Sequence, residues 1–379
     1  MQVFPGIDLR AHWYGGGVAS SPRAFLPVAP ANAQASGLPS RVLRAARRSE
    51  AEWLFAHKAS ERRASILEPQ NHKTLVLVFH GFLKNGQQAM SMPSGFVWLM
   101  NLLSPELRET HQLVPVSWPA DPMPGGKVGD ALAIHHIDAI AREAGRKLAT
   151  TLQADLRGRR LSVVAQSLGN RVALEFLHRL HKRKTPITLE AVISTGAAVE
   201  NCVFSEKNLY ADSTKKARSI HVLHSHNDWV LRGLYGAGAK RQIRLFATMT
   251  RQRRVRWLAS PPALGRSGPT DQSYFDREKR PNLYDDDLRR AKHAGYMPQK
   301  LIYEHWRNEK ILCDHLIERI DREGDKTAMQ WVRTAWRTAQ TLATGSPGGD
   351  ELKTKDQVLE LLEMTAERIA EGLSPNDAV

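Results

Sequence analysis

The sequence predicts an α/β fold built on a doubly wound, mostly parallel sheet, with helical additions at both ends of the chain. Three observations lead to this prediction. Apolar runs of strand length, such as residues 73–82, lack polar alternation, as expected for strands covered on both faces. Amphipathic stretches of helical period, such as residues 130–156, separate these runs. Polar residues follow several of the runs, at the ends of strands where ligands bind in parallel sheets.

The predicted strands and helices alternate from about residue 71 onward. The first strand, residues 73–82, is rich in β-branched and aromatic side chains. Further along, the patterns predict strands near residues 111–120, 161–165, 187–199, 218–231 and 282–285, and helices at residues 130–156 and 172–180. Such alternation is typical of strand–helix–strand units, which build a parallel sheet.

Composition divides the chain into three parts. Residues 1–70 are an N-terminal extension that is partly helical. Its first 40 residues are rich in Gly, Pro, Ala and Ser and are expected to drape over the core or to be partly disordered, whereas residues 41–67 favour a helix. Residues 71–320 form the α/β domain, and residues 321–379 carry two amphipathic helices. These last helices could cover the sheet, form a dimer contact or bind a partner.

The charge of the chain favours anionic partners. Its 379 residues carry a formal net charge of +15, and the sequence pI is about 10.0. No nucleic-acid-binding motif accompanies this charge, so a nucleic acid is not expected as a partner. Residues 229–270 contain no acidic residue, and their basic residues include Lys240, Arg241, Arg244, Arg251, Arg253, Arg254, Arg256 and Arg266. This segment is either a basic rim that attracts phosphate-bearing lipid at an anionic membrane surface or a solvated face.

The cysteine content and the N-terminus favour a reduced, cytoplasmic location. The two cysteines, Cys202 and Cys313, have no CxxC spacing and imply neither a disulfide framework nor a cysteine zinc site. No signal peptide and no apolar run of membrane-spanning length is present in the sequence, although export by a signal-independent route remains compatible with it. No cofactor is predicted.

A histidine-rich segment raises the question of a metal. His224, His226 and Asp228 form H-x-H-x-D, which resembles most of the zinc motif of the metallo-β-lactamase fold. The resemblance stops at Trp229, where that family has another histidine, and the segment lies well past the middle of the chain. The sequence therefore predicts no metal site.

The segment A-Q-S-L-G carries the strongest functional signal in the sequence. Ser167 lies between an apolar strand, residues 161–165, and an amphipathic helix, and small residues flank it at Ala165 and Gly169. A sharp strand-to-helix turn needs small flanks, and we expect a side chain at position 169 to crowd the helix. The N–H of Leu168, just before the helix, is expected to face an oxyanion that develops beside the serine.

These residues resemble the nucleophile elbow G-x-S-x-G of the α/β-hydrolase superfamily, with Ala165 in place of the first glycine. The first predicted strand ends in His80 and Gly81, which resembles the oxyanion loop of that superfamily. The resemblance implies a second oxyanion donor from the N–H of Phe82 or of the next residue, Leu83. It covers about residues 71–320 and implies the α/β-hydrolase fold.

An activated serine needs a base and an acid, which follow it in this superfamily in the order Ser, acid, His. Asp228, just past a predicted strand, is the expected acid; Asp212 and Asp271 are weaker candidates because no strand precedes either. His293 is the expected base, since H-A-G-Y resembles the H-x-x-Y ending of several bacterial lipase-like hydrolases.

Two other histidines remain open as the base. His305 follows a possible strand and directly precedes a helix. His315 lies among the apolar positions of one helix, which is more typical of a packed core histidine.

By this resemblance we expect a serine hydrolase that cleaves a small-molecule ester or lipid through an acyl-enzyme. Phospholipase activity is suggested only by the basic rim. The alternative is a non-catalytic binding protein that keeps the hydrolase scaffold and uses its basic surface and terminal helices. Many chemistries share one fold, so neither the substrate nor the oligomeric state follows from the sequence.

Overall fold

The structure is a computed structural model. It describes residues 6–8, 25–27, 73–82, 86–118, 120, 126–205, 208–235, 262–269, 283–288, 291–298, 309–345 and 352–371. Its strands are β1 (Gly6–Asp8), β2 (Phe25–Pro27), β3 (Thr74–Phe79), β4 (His111–Ser117), β5 (Arg160–Gln166), β6 (Thr188–Thr195), β7 (Ser219–His224) and β8 (Leu283–Asp287). Its helices are α1 (Gly86–Leu103), α2 (Leu107–Thr110), α3 (Gly126–Leu152), α4 (Gly169–Lys182), α5 (Ala211–Thr214), α6 (Leu264–Ser267), α7 (Glu309–Asp321), α8 (Lys326–Thr344) and α9 (Lys355–Ala370).

All the described strands form one parallel sheet in the order β2-β1-β4-β3-β5-β6-β7-β8. Strand β3 lies between β4 and β5, with Phe79 opposite Val116 on one side and Ala165 on the other. The strands β5, β6, β7 and β8 then follow one another across the sheet. Their carboxyl ends therefore lie along one edge, where the predicted functional residues are found.

Helices cover both faces of the sheet, so the predicted doubly wound α/β fold is confirmed. Successive side chains of a strand point to opposite faces. Leu75, Leu77 and Phe79 of β3 accordingly pack in a core with α3 and α4. Val76 and Val78 pack in a second core with α1 and the three C-terminal helices, α7, α8 and α9. The uniform hydrophobicity of this strand reflects burial on both sides.

The C-terminal helices cover one face of the sheet, which was one of the three roles that the sequence left open. Trp331, Val332 and Ala335 of α8 and Val358 and Leu362 of α9 belong to the same core as β3. None of the helices in the described residues is both long and apolar enough to cross a membrane.

Apart from the short helices α2, α5 and α6, two features of the fold were not predicted. The first is α1, whose glycine- and methionine-rich sequence contains Pro93, a residue that disfavours helix interiors. The second is the pair β1 and β2, which lie in the N-terminal extension and lengthen the sheet beyond β4. Strands of three residues are too short for a hydrophobic pattern to predict them from the sequence. The helix expected at residues 41–67 lies outside the described residues.

Candidate active site

The turn after β5 holds Ser167 in a rare backbone conformation. Its φ of 51° lies in the left-handed region, which non-glycine residues seldom adopt. Hydrogen bonds fix the backbone on both sides: the Ser167 N–H donates to the Thr195 carbonyl at 3.0 Å, and the Ser167 carbonyl accepts from the Ala198 N–H at 3.0 Å. Ser167 thus lies between the end of β5 and the start of α4 in the turn that the sequence predicted.

Two glycines let the backbone approach this turn closely. A Cβ at Gly81 would lie 2.8 Å from the Cβ of Ser167, and a Cβ at Gly169 would lie 2.3 Å from the carbonyl oxygen of His80. Both separations are far shorter than van der Waals contact. A side chain at position 169 would therefore crowd the end of β3.

Ser167, His293 and Asp228 form a continuous hydrogen-bonded chain. The Ser167 Oγ lies 2.9 Å from the His293 Nε2, and the His293 Nδ1 lies 2.7 Å from the Asp228 Oδ2. A carboxylate only accepts hydrogen bonds, so the Nδ1–H donates to Asp228 and the Nε2 is left to accept from the serine hydroxyl. Ser167 is 5% exposed and Asp228 is fully buried.

The carboxylate of Asp228 is held by the loop that follows β7. The Asp228 N–H donates to the Ser225 carbonyl at 3.0 Å, and the Leu231 N–H donates to the Asp228 Oδ1 at 3.1 Å. Each carboxylate oxygen therefore has a donor, one from the backbone and one from His293. A buried charge needs such partners to remain ionised at moderate cost.

The turn that carries His293 is held by contacts from three directions. Gln166 Nε2 donates to the His293 carbonyl at 3.1 Å, and Trp331 Nε1 donates to the Ala294 carbonyl at 2.8 Å. The ring of Tyr296 packs on Gly196, where a Cβ would lie 2.4 Å from the ring. Burial, with the nearby charge of Asp228, raises the pKa of Tyr296 well above its usual value, so this tyrosine stays neutral. Tyr296 thus acts as a packing residue in the H-x-x-Y segment.

His80 organises the loop after β3, a role that the sequence did not reveal. The Trp118 N–H donates to the His80 Nε2 at 3.0 Å, so the other nitrogen, Nδ1, carries a proton and donates to the Gly81 carbonyl at 2.7 Å. The Trp118 Nε1–H donates to the His80 carbonyl at 2.8 Å, and the two rings stack. In a trans peptide the N–H points opposite to the C=O. The Phe82 N–H is therefore turned away from the His80 ring.

The other candidates for the acid and the base lie elsewhere in the fold or outside the described residues. Asp212 lies exposed in the short helix α5, whereas Asp228 reaches His293. His315 lies in α7, which packs beside α9, and is not part of the chain that ends at Ser167. His305, Asp271 and Leu83 lie outside the described residues.

A buried ionic cluster fixes α4 behind the serine. Arg171, which is 3% exposed, donates to Asp138 of α3 and to Glu200, both at 2.7 Å. Burial alone would raise the pKa of Asp138, but Arg171 and Arg142 outweigh it and hold this pKa below its usual value. The helix that begins just after Ser167 is thereby tied to its neighbour α3.

One further group of side chains near the site has the composition of a metal site. A ring nitrogen of His224, a ring nitrogen of His226 and a carboxylate oxygen of Asp287 lie within 4.8 Å of one another. Asp228, which the sequence grouped with these histidines, instead faces His293.

Comparison with known families gives a match without an assigned activity. Residues 111–254 match a family described as a protein of unknown function, DUF726. The matched segment contains Ser167 and Asp228 but ends before His293. No curated protein matches the chain significantly.

The arrangement has the parts needed for nucleophilic catalysis. A hydroxyl faces an imidazole nitrogen that can accept its proton, and a buried carboxylate orients the imidazole. The N–H of Leu168 precedes the first residue of α4 and so has no acceptor within that helix.

Proposed function

We propose that this protein is a serine hydrolase of the α/β-hydrolase superfamily that cleaves carboxylic esters through an acyl-enzyme. The observation that carries the proposal is the chain Ser167–His293–Asp228, whose first member lies on a strained strand-to-helix turn. The three residues also occur in the order nucleophile, acid, histidine that this superfamily uses.

The first half of the reaction forms the acyl-enzyme. Ser167 Oγ attacks the ester carbonyl carbon while its proton moves to His293 Nε2, and Asp228 stabilises the resulting imidazolium. The tetrahedral intermediate carries a negative oxygen. When it collapses, the carbon–oxygen bond to the alcohol breaks and His293 Nε2 gives its proton to the departing alkoxide. An alcohol leaves and an acyl-serine remains.

The second half regenerates the serine. A water molecule gives a proton to His293 Nε2 and attacks the acyl carbon, and collapse of this second intermediate returns the proton to Ser167. In both halves we assign the N–H groups of Leu168 and Phe82 to the oxyanion. The orientation of the Gly81–Phe82 peptide, set by His80, supports the second assignment.

The substrate class rests on the superfamily resemblance, because a serine, a histidine and an aspartate in this order serve several acyl transfers. We propose a small-molecule ester or a lipid as substrate. Action on phospholipid at an anionic surface rests on the basic segment 229–270, of which the structure describes residues 229–235 and 262–269.

The test is covalent labelling of the full-length protein with a fluorescent fluorophosphonate. Wild type should label, and Ser167→Ala should abolish the signal. Ser162→Ala is the matched control, because Ser162 is a buried serine of β5, the strand that precedes Ser167, and the change should leave labelling unchanged. Absence of labelling in folded wild type would contradict the proposal and favour the non-catalytic binding protein.

The same assay identifies the base. His293→Ala should label far more slowly than wild type, whereas His315→Ala and His305→Ala should label normally. Loss of labelling in either of the last two variants, with His293→Ala still reactive, would overturn the assignment. A panel of p-nitrophenyl esters and of anionic phospholipid vesicles then distinguishes a soluble ester from a membrane lipid.

A further inference from the structure

The carboxyl ends of β7 and β8 bring two histidines and two aspartates together. In the parallel pairing of these strands His224 lies opposite Asp287, and Val222 lies opposite Asp285. His226 follows β7 by two residues and also reaches Asp287. Asp285 to Asp287 are consecutive acidic residues in a chain whose formal net charge is +15. This concentration of carboxylates beside imidazoles stands out against the rest of the chain.

The distances within the cluster suit a small divalent cation. His226 Nδ1 lies 3.3 Å from Asp287 Oδ2. Zinc–ligand bonds of about 2.0–2.1 Å at tetrahedral angles place neighbouring ligand atoms about 3.3 Å apart. The third ligand, a ring nitrogen of His224, lies within 4.8 Å of both, so a small side-chain movement would complete the set.

The hydrogen bonding of His224 is of the kind that supports a histidine metal ligand. Its Nε2 pairs with Asp285 Oδ1 at 3.0 Å, and its Nδ1 is buried without a hydrogen-bond partner among the described residues. The side chain of His224 is 4% exposed. Metal-bound histidines commonly donate their second ring N–H to a carboxylate, which orients the ring and raises its basicity. Asp285 is in position to fill that supporting role.

We propose that His224 Nδ1, His226 Nδ1 and Asp287 bind a Zn²⁺ ion, with Asp285 orienting His224. Two imidazoles and one carboxylate favour zinc over calcium or magnesium, which prefer all-oxygen ligands. The sequence did not predict this site, because Asp287 reaches the histidines only through the pairing of β7 with β8.

The site would join the two loops that carry the acid and the base, an effect that rests on the proposed function. Asp228 lies two residues after His226, and His293 lies six residues after Asp287. An ion that binds both strand ends would hold these two loops at a fixed separation. The zinc is thus a structural ion, and no step of the ester cleavage is assigned to it.

The test measures zinc binding by the full-length, untagged protein. The protein is dialysed against a chelator, titrated with zinc sulfate by calorimetry, and analysed for metal after gel filtration. Wild type should retain one Zn²⁺ per chain and unfold at a higher temperature with zinc than without it. Calcium and magnesium chloride should give neither effect.

The variants separate this site from adventitious binding. His226→Ala and Asp287→Asn change partly exposed side chains and should fold, yet each should weaken zinc binding at least ~100-fold. Asp285→Asn should weaken it by roughly 10–100-fold. His181→Ala, an exposed histidine of α4, is the control and should bind zinc as wild type does. Wild type that binds no zinc, or His226→Ala and Asp287→Asn that bind it normally, would overturn the proposal.

Fluorophosphonate labelling of the same samples keeps the two proposals distinct. Labelling at Ser167 in a protein that binds no zinc would contradict the metal site alone. Stoichiometric zinc binding in a protein that never labels would contradict the hydrolase proposal alone.

Discussion

Two histidine–aspartate pairs lie at the same edge of the sheet and differ in the second nitrogen of the imidazole. His293 faces Asp228 with its Nδ1 at 2.7 Å, and its Nε2 faces Ser167. His224 faces Asp285 with its Nε2 at 3.0 Å, and its Nδ1 has no hydrogen-bond partner among the described residues. The carboxylate therefore faces Nδ1 of the imidazole in the first pair and Nε2 in the second.

In the two functions that we propose, a histidine–aspartate pair has no fixed role of its own. The group that faces the second ring nitrogen decides the role. For His293 this group is the hydroxyl of Ser167, which lies on the strained turn. Burial distinguishes the pairs as well. The side chain of Asp228 is fully buried, whereas that of Asp285 is 37% exposed, so water weakens the second interaction more than the first.

The largest expected effect comes from neutralising Asp228, with the same change at Asp285 as the comparison. Asp228→Asn should slow the fluorophosphonate reaction of Ser167 by ~10⁴-fold, because an amide no longer holds the His293 tautomer that accepts the serine proton. Asp285→Asn should slow it by less than about tenfold, since it acts only through the neighbouring loop. The second-order labelling rate measures both, and Asp212→Asn, an exposed aspartate, is the control. Similar losses of labelling rate in the two variants would show that the two histidine–aspartate pairs do not differ in function.

A smaller effect should follow when the serine is displaced while both pairs stay intact. The new Cβ in Gly81→Ala would lie 2.8 Å from the Cβ of Ser167, so the turn or the loop has to move. Because both the nucleophile and an oxyanion donor shift, we expect labelling to slow on the order of 10³-fold. Gly233→Ala, where a Cβ meets open space, should react as wild type does. Unchanged labelling in a folded Gly81→Ala protein would show that the close approach of Gly81 to Ser167 is not needed for the reactivity of the serine.

His80 extends the comparison to a histidine whose two ring nitrogens hydrogen-bond backbone groups, the Gly81 carbonyl and the Trp118 N–H. His80→Phe removes the hydrogen bond that orients the Gly81–Phe82 peptide, and kcat for an ester substrate should fall ~10²-fold with little change in KM. His80→Asn should recover part of the loss, since its amide N–H can donate to the same carbonyl. A fall in thermal stability without any change in kcat would indicate that His80 supports the fold alone.

The smallest expected effect concerns His221, a buried histidine of β7 that stacks on Tyr284. Burial, and to a lesser degree Arg337, lowers the pKa of His221 to about 4. Between pH 7 and pH 5 the unfolded chain binds a proton here and the folded chain does not, so acid destabilises the fold. One such histidine contributes ~2 kcal/mol of lost stability over this interval.

The measurement for His221 is urea unfolding of wild type and His221→Phe at both pH values. The variant should lose less stability than wild type on acidification. His111, whose pKa burial and Arg160 also lower to about 4, is unchanged in both proteins and cancels in the difference. An equal loss in the two proteins would mean that His221 is protonated as readily in the fold as in the unfolded chain.

Local patterns in the sequence were sufficient to predict the doubly wound fold and to select Ser167 and Asp228 as candidates, whereas the choice of His293 rested on the H-x-x-Y resemblance. Ser167 directly follows β5 and Asp228 lies four residues after β7, two strands that their own neighbours define. The contact between His80 and Trp118 could not be predicted in this way, because it depends on β3 lying beside β4 with Phe79 opposite Val116. The approach of Asp287 to His224 likewise depends on the register of β7 and β8. Strand order and register are long-range properties that periodicity within one segment does not encode.

The hydrogen bond from Trp331 Nε1 to the Ala294 carbonyl determines when, during synthesis of the chain, the turn next to His293 can be anchored. A ribosome produces Ser167 and Asp228 first, then His293, and only afterwards the helix α8 that anchors the turn next to His293. Domains fold as the chain emerges, N-terminal parts first. A nascent chain, or one that proteolysis has shortened before residue 331, therefore contains Ser167 and His293 without the hydrogen bond that anchors the His293 turn. The turn next to His293 would be fixed in this way only after Trp331 has been made.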